Sequence, residues 1–461
     1  MSVSLLPRLM VSAPHKSSGK TTVVLGLAAA LAGRGERVAC FKKGPDYIDP
    51  MWHRLASGRE SCNLDPWLMG AEGCIRSFAE NGLQGTLSLI EGNHGLHDGL
   101  SLDGSDSSAG LAAMLRAPVL LVVDSRKMSR GAAAVVLGMQ SMQHRVRIAG
   151  VILNQVRTAR HADKQKLAIE TFCNVPVLGA IPSDERLSIS ERHLGLITTG
   201  ESSGAEAIVR EAAEQVAHYC DIDAVRSLFS EAPPLEHPDA AQVPPIPYNG
   251  VRIGVFRDAA FCFYYPENLR ALTDKGVELV FIDSMQPRPL PDVHGLYLGG
   301  GFPESFFPVL ETNRQLMRDV RERAASGMPI YAECGGLIYL SRSGTCEGRT
   351  YSLAGVLPFD IGFRSRPAGH GYVELRSVSD SAWFAKDAHV RAHEFHYSFP
   401  VSGSEGEHYQ FDVMRGTGVT GKRDGVLYRN VLATYAHLHA TGTLAWAGRF
   451  AALAGEWKSR N

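Results

Sequence analysis

Val11-Ser-Ala-Pro-His-Lys-Ser-Ser-Gly-Lys-Thr-Thr22 sets a glycine, a lysine and two threonines between a short apolar run (Leu9, Met10, Val11) and an Ala/Leu-rich segment ending near Gly33. A small-residue turn between a strand and a helix cradles phosphates, because its backbone N–H groups and the helix N-terminus supply positive potential. Ser17, Ser18, Gly19, Lys20, Thr21 and Thr22 are therefore candidate nucleotide ligands. Lys20 can reach the β/γ-phosphates of ATP, and the Thr21 hydroxyl can sit on Mg²⁺. The pattern departs from G-x-x-x-x-G-K-[ST] at its first position, where Ala13 stands. Ser17 and Ser18 fill a turn where glycine is common, and the role of Lys16 stays open.

Acidic residues follow other apolar runs in the same half. Glu91 ends Leu87-Ser-Leu-Ile and is a candidate Mg²⁺ or water-positioning group, since ligands in open α/β sheets sit at the carboxyl ends of strands. The loop Phe41-Lys-Lys-Gly-Pro-Asp-Tyr-Ile-Asp-Pro50 offers Lys42 to phosphate, and Asp46 and Asp49 to metal or to orientation of a nucleophile. Asp98 in Gly95-Leu-His-Asp-Gly99 is a similar candidate. Each of these, taken alone, also reads as an ordinary turn residue.

A different chemistry is written into the other half. Pro329-Ile-Tyr-Ala-Glu-Cys-Gly-Gly-Leu-Ile-Tyr339 predicts a strand, a sharp turn and a helix, with Cys334 at the bend. A thiol exposed on such an elbow, at a helix N-terminus, is expected to have a lowered pKa and to act as a nucleophile. Ala433-Thr-Tyr-Ala-His-Leu-His439 ends an apolar strand with His437 and His439, on one face by strand alternation, and either can deprotonate Cys334. The loop Leu298-Gly-Gly-Gly-Phe-Pro-Glu304 offers N–H groups of Gly300 and Gly301 which, with that of Gly335, would form an oxyanion hole.

The elements that must hold these groups follow from the apolar pattern. Runs at Arg37–Phe41, Leu87–Ile90, Val119–Val123, Ile148–Leu153 and Val175–Ile181 alternate with helical stretches, which implies a parallel sheet covered on both faces. The rhythm restarts at Arg252–Phe256, Val277–Ile282, Gly295–Leu298 and Pro329–Ala332, and turns irregular beyond about residue 345. Between the halves, Glu231–Gly250 carries six prolines and reads as a linker. The domains are accordingly 1–230 and 251–461, joined by 231–250; both are α/β.

Composition narrows the function classes. The 461 residues are 44% apolar and 21% charged, with 47 basic and 48 acidic side chains, so neither a nucleic-acid surface nor a polybasic membrane contact is indicated. No run approaches the roughly 18 apolar residues of a membrane span. The first residues carry only Arg8 before an expected strand, which reads as no export signal. Eight cysteines without CxxC pairing argue against zinc and against a disulfide framework, and the cytoplasm is the expected compartment.

Taken together, the chain resembles the cobyrinate/hydrogenobyrinate a,c-diamide synthases. The resemblance spans nearly the whole chain and rests on Ser18–Thr22, Lys43–Pro50, Asn63–Asp65, Glu91–Gly99, Glu191–Gly195, Ala260–Tyr265, Glu333–Gly336, His393–Ser398 and Tyr435–His439. It implies a P-loop, dethiobiotin-synthetase-like amide-forming domain followed by a class-I-like glutamine amidotransferase domain. It further implies that Cys334 releases ammonia from L-glutamine through a thioester. ATP–Mg²⁺ would activate two carboxylates of a tetrapyrrole in turn as acyl phosphates, which ammonia attacks. The implied macrocycle is cobyrinic or hydrogenobyrinic acid, with sirohaem- or nickel-sirohydrochlorin-type rings as the alternative. Tyr47, Ile48 and His94 would contact it, together with the Phe261–Tyr265 aromatics, which read equally as core. Class-I amidotransferases usually complete their triad with His-Pro-Glu; here the stretch is His437-Leu-His439, so the acid is missing from its usual place and a Cys–His dyad is expected. Assembly is left open, a homodimer included. An ATPase switch without catalysis, and a binding protein with a dead amidotransferase domain, are the rival readings.

Overall fold

The computed structural model describes residues 2–82, 86–142, 146–184, 191–192, 195–196, 198–200, 204–239, 250–402, 407–443 and 445–461. The chain divides into two compact units, 1–241 and 242–461.

In the first unit a seven-stranded parallel sheet is built from β2 (Arg8–Ser12), β3 (Val38–Lys43), β4 (Cys62–Leu64), β5 (Leu87–Glu91), β6 (Val119–Asp124), β7 (Ile148–Val156) and β8 (Val177–Pro182), in the order 4-3-5-2-6-7-8. The strands are almost entirely buried because helices cover both faces, the reason their sequences are apolar throughout rather than alternating. Those helices are α1 (Lys20–Gly33), α2 (Ile48–Ser57), α3 (Pro66–Gly82), α4 (Ser108–Met114), α5 (Gly131–Met142), α6 (Ala159–Cys173), α7 (Ala205–Tyr219) and α8 (Ile222–Ser230). Local signals set their ends: Thr158 and Asp221 accept backbone N–H bonds as N-caps of α6 and α8, and Gly58 closes α2 at φ 69°. A hairpin of β9 (Glu191–Arg192) and β10 (Gly195–Leu196) falls in the Glu191–Gly195 motif, whose residues 193 and 194 lie outside the described residues.

The linker expected over 231–250 begins later than the prolines suggest. Leu235–His237 forms β11, paired antiparallel with β1 (Ser2–Ser4), and the buried Arg8 guanidinium donates to the carbonyl of Pro233 at 2.7 Å. Proline carbonyls accept hydrogen bonds as well as any, so residues 231–239 pack onto the first unit despite their composition. Residues 240–249 lie outside the described residues.

The second unit has a ten-stranded mixed sheet. Its parallel part comprises β12 (Arg252–Phe256), β13 (Glu278–Ile282), β14 (Gly295–Leu298), β15 (Ile330–Glu333) and β24 (Val431–Thr434), in the order 13-12-14-15-24. An antiparallel part continues it through β23 (Arg423–Tyr428), β22 (His408–Arg415), β19 (Gly369–Ser377), β20 (His389–His396) and β25 (His437–Leu438). A smaller sheet holds β16 (Ser343–Cys346), β17 (Arg349–Ser352), β18 (Asp360–Phe363) and β21 (Ser398–Ser402). The region past residue 345 is thus regular, against expectation: its strands are half-buried and polar on one side, so they lack the apolar runs that reveal parallel strands. Helices α9 (Pro266–Thr273), α10 (Phe307–Leu310), α11 (Arg314–Ser326), α12 (Gly335–Leu340) and α13 (Ala445–Arg460) complete the unit.

Candidate functional site

The phosphate loop joins β2 to α1 as expected. Gly19 lies at φ 87°, and a Cβ there would stand 2.1 Å from Asn154 Nδ2, so only glycine fits. Asn154, from β7, donates to the Ser18 carbonyl at 3.0 Å and fixes the loop; nothing in its local sequence marked it. Ser17 takes the left-handed φ of 59° that glycine would adopt easily, while Ala13 is buried and does not have positive φ. Ser18 Oγ donates to the His15 carbonyl, Thr22 sits half-buried in the first turn of α1, and Lys16 is exposed. Burial, followed by repulsion from Lys42, pushes the Lys20 ammonium down to about 8. That is the environment of a cation waiting for an anion.

Sheet order brings the other groups in. Glu91 at the end of β5 is in register with Lys42 of β3 on one side and Val11 of β2 on the other. Its Oε1 accepts from Thr21 Oγ1 at 2.6 Å and from Lys42 Nζ at 2.9 Å. Its Oε2 accepts from His53 Nε2 at 2.6 Å. Burial raises the Glu91 carboxyl, but Lys42 and His53 outweigh it and hold the group below the usual carboxylate range. Asp49 also pairs with Lys42, yet burial and the neighbouring Asp46 push it up to about 7.

His53 escaped the sequence reading, although it lies four residues after Asp49 on α2 and hence on the same helical face. His53 Nδ1 lies 3.1 Å from Ser61 Oγ, which also reaches the Cys40 carbonyl at 3.0 Å.

Several candidates take humbler places. Lys42, expected at the phosphate, pairs with Asp49 and Glu91. Asp46 Oδ1 accepts from the N–H groups of Ile48 and Asp49 at 2.9 and 3.0 Å, an Asx turn that starts α2. Asp98 is exposed and accepts from Gly95 N–H at 2.9 Å. Tyr47 and Ile48 fold inward into the core, contrary to their expected role as substrate contacts. His94 is exposed at φ 49°. Among the described residues no cluster of three or more His, Cys, Asp or Glu stands ready for a metal. An oxygen pair such as Thr21 and Glu91 nevertheless suits Mg²⁺, which keeps waters and phosphate oxygens for most of its shell.

In the second unit Cys334 follows β15 at φ 46°, ψ −93°, a strained bend. Cys334 N–H donates to the Thr434 carbonyl at 2.7 Å, tying the bend to β24. The thiol is not exposed and its pKa is not lowered: it is 6% accessible, and burial first, then Glu304 and Glu333, raise it. Helix α12 has six residues, too short a dipole to offset that. A Cβ on Gly335 would lie 3.1 Å from Gly301 N, and one on Gly300 would lie 2.5 Å from His437 Cε1. Gly300, Gly301, Gly335 and His437 therefore meet beside the Cys334 bend. Gly301 has φ 152° and leaves no room for a side chain, its Cβ position falling 2.1 Å from the Ala260 carbonyl.

The two histidines part company. Strand β25 ends at Leu438, so alternation does not carry to His439, which opens a turn through Gly442 and Thr443 N–H bonds to its carbonyl. His437 stacks on His393 at 4.9 Å between centroids, and its Nδ1 lies 3.7 Å from Glu333 Oε2. His439 packs on the Tyr265 ring at 4.6 Å with Nε2 3.8 Å from Glu267 Oε2. The aromatics 261–265 resolve to structure: Phe261 is core, and Tyr264 Oη accepts from Gly299 N–H at 2.8 Å, supporting the glycine loop.

Comparison with known proteins matches a family domain to each half of the chain. Residues 9–197 match the CobQ/CobB/MinD/ParA nucleotide binding domain, and residues 252–444 match the CobB/CobQ-like glutamine amidotransferase domain. A cobyrinate a,c-diamide synthase of Magnetococcus marinus is 46% identical over 447 residues, 96% of each chain. The chain belongs to the cobyrinate a,c-diamide synthase family. One from Archaeoglobus fulgidus is 37% identical over 96% of this chain and 97% of its own. One from Dehalococcoides mccartyi strain CBDB1 is 39% identical over 94% and 95%. As a member of this family, with a nucleotide-binding half and a glutamine amidotransferase half, the protein is a glutamine-dependent, amide-forming ligase. Among the described residues no helix is long and apolar enough to cross a membrane.

Proposed function

We propose that the protein converts the a and c side-chain carboxylates of cobyrinic or hydrogenobyrinic acid to amides in the cytoplasm, at the expense of ATP and L-glutamine. The observation that supports this best is continuous likeness, across 96% of the chain, to relatives named for that reaction.

In the second unit, His437 takes the Cys334 proton, and the thiolate attacks the glutamine carboxamide carbon. The tetrahedral oxyanion is received by N–H groups of Gly300, Gly301 and Gly335. Collapse expels ammonia, which leaves with the proton from His437, and water then hydrolyses the thioester to glutamate. The raised thiol keeps Cys334 protonated until a substrate and base act on it.

In the first unit, the loop 17–22 and Lys20 hold the phosphates of ATP. Bound at Thr21 and Glu91, Mg²⁺ would neutralise charge developing on the β/γ oxygens. The substrate carboxylate attacks the γ-phosphorus, giving an acyl phosphate and ADP; ammonia displaces phosphate and leaves an amide. His53, Lys42 and Asp49 hold Glu91 in place for this.

Mass spectrometry of the products tests the reading. Cobyrinic acid, hydrogenobyrinic acid, sirohaem and nickel-sirohydrochlorin are offered separately with ATP, Mg²⁺ and glutamine. Loss of about one dalton per carboxylate, twice, on a corrinoid alone is expected; conversion only of a sirohydrochlorin-derived ring would reassign the substrate.

A further inference from the structure

The carboxylate that a class-I triad places two residues after its histidine is absent from His437-Leu-His439. A different carboxylate lies beside His437. Glu333, the residue immediately before the nucleophile, is fully buried at the end of β15, in register with Thr434 of β24. Because alternate residues of a strand point to opposite faces, Glu333 does not share the bend of Cys334 and instead faces the chain that follows β24.

Four contacts fix it. Its Oε1 accepts from Tyr331 Oη at 2.8 Å and from the backbone N–H of Leu438 at 3.0 Å. Its Oε2 accepts from Tyr297 Oη at 3.1 Å and lies 3.7 Å from His437 Nδ1. Both tyrosine rings are locked in the core among Trp446, Phe450 and Trp383. The carboxylate thus grips the peptide next to the histidine and presents an oxygen to Nδ1 of its imidazole. The contact is longer than a hydrogen bond, and such catalytic contacts commonly tighten when substrate binds.

We infer that Glu333 is the positioning carboxylate of the glutaminase site: it holds the tautomer and orientation of His437 and stabilises the imidazolium formed when Cys334 is deprotonated. The site is a triad whose acid and nucleophile are adjacent in sequence. The inference rests on the assignment of Cys334 and His437 to glutamine hydrolysis. Glu267 is the rival acid, but it faces His439, whose Nδ1 accepts from Thr441 N–H at 3.2 Å and whose ring packs on Tyr265, away from Gly300.

The sign of one shift separates this role from a structural one. Cys334 is faced by Glu304, Glu333 and Glu394, and His437 by Glu333 and His393. If Glu333 acted only as a negative charge beside the thiol, Glu333→Gln would ease thiolate formation and move it to lower pH. Acting through His437, its removal deprives the imidazolium of its partner, and thiolate formation moves to higher pH. The measurement is the rate of Cys334 alkylation by iodoacetamide against pH, which needs no turnover, beside steady-state glutaminase kinetics.

Loss of the triad acid costs about 10⁴-fold in kcat in a serine protease; with the longer contact here, Glu333→Gln is expected to lower glutaminase kcat about 10²-fold with KM little changed. Glu333→Asp, which keeps the charge, should recover at least tenfold of that. In a His437→Ala background, Glu333→Gln should add little, because the acid works through the imidazole. A loss under threefold, additive effects of the two substitutions, or an alkylation profile that stays or moves to lower pH overturns the inference. Should Glu333→Gln not fold, the Asp variant is read for the same upward shift, smaller in size. If the unaltered protein shows no Cys334-dependent glutaminase, the proposed function fails instead, and the alkylation profile still reports on Glu333.

Discussion

The two candidate centres store charge in opposite ways. In the first unit Lys42 pairs with Asp49 and Glu91, His53 meets Glu91, and Lys20 is buried beside Lys42. In the second unit the candidate nucleophile, Cys334, is buried and surrounded by carboxylates that oppose its ionisation. A site for a polyanion that arrives ready to react gains from preset positive potential. A nucleophile that would otherwise be alkylated or oxidised gains from staying protonated until its base is aligned. Burial alone therefore does not make a site acid or basic; the sign of the neighbours does.

The comparison breaks most sharply at the nucleophile. Cys334→Ala should reduce glutamine-dependent product about 10⁴-fold or more, while product formed from high ammonium persists, as mass spectrometry of the macrocycle would show. No rescue of a folded variant by ammonium would mean the half-reactions are not housed separately. Lys20→Ala should lower ATP-dependent amidation about 10³-fold and leave glutamate release within severalfold; equal loss of both activities would show them to be interlocked.

Gly300→Ala sharpens the geometry, since its methyl would meet His437 Cε1 at 2.5 Å. Glutaminase should fall about 10²-fold, the scale of losing one oxyanion donor or misplacing a base, with amidation from ammonium unaffected. An unchanged glutaminase rate would place His437 outside the reaction. The smallest effect is a pH dependence. Burial pushes the Lys20 ammonium down to about 8, and only its protonated form would attract phosphate, so ATP affinity, measured by calorimetry, should weaken as pH rises through that value, approaching tenfold per unit above it. Bound phosphates raise the pKa and strengthen the protonated form, which gives the effect this sign. A flat affinity from pH 8 to 10 would show that Lys20 is not the group that senses the nucleotide.

Much of the site was legible because its signals are local. A phosphate loop is a contiguous turn, and its Gly19 is required by one left-handed dihedral. The elbow at Cys334 and the glycine loop at 299–301 are likewise short stretches whose backbone conformation their own residues dictate. Parallel strands announce themselves because both faces are buried, which is why β12 and β14 have the bounds their apolar runs give. The antiparallel strands after 345 did not, since half of each faces water or the smaller side chains of its neighbours.

What the sequence by itself determined is the set of candidate groups and the local turns that present them: Lys20 and Thr21 after a phosphate loop, Cys334 at a bend, a histidine after an apolar strand. Tertiary structure alone decided the partners. The sheet order 3-5-2 sets Glu91 between Lys42 and the phosphate loop, and α2 turns His53 onto it. The order 14-15-24 sets the glycine loop, Cys334 and His437 side by side and gives His437 the carboxylate of Glu333, from a strand about a hundred residues earlier in the chain. Thiol ionisation went the same way: an elbow motif predicts a reactive, lowered cysteine, but desolvation depends on what packs over the bend, and no spacing of residues along the chain encodes that.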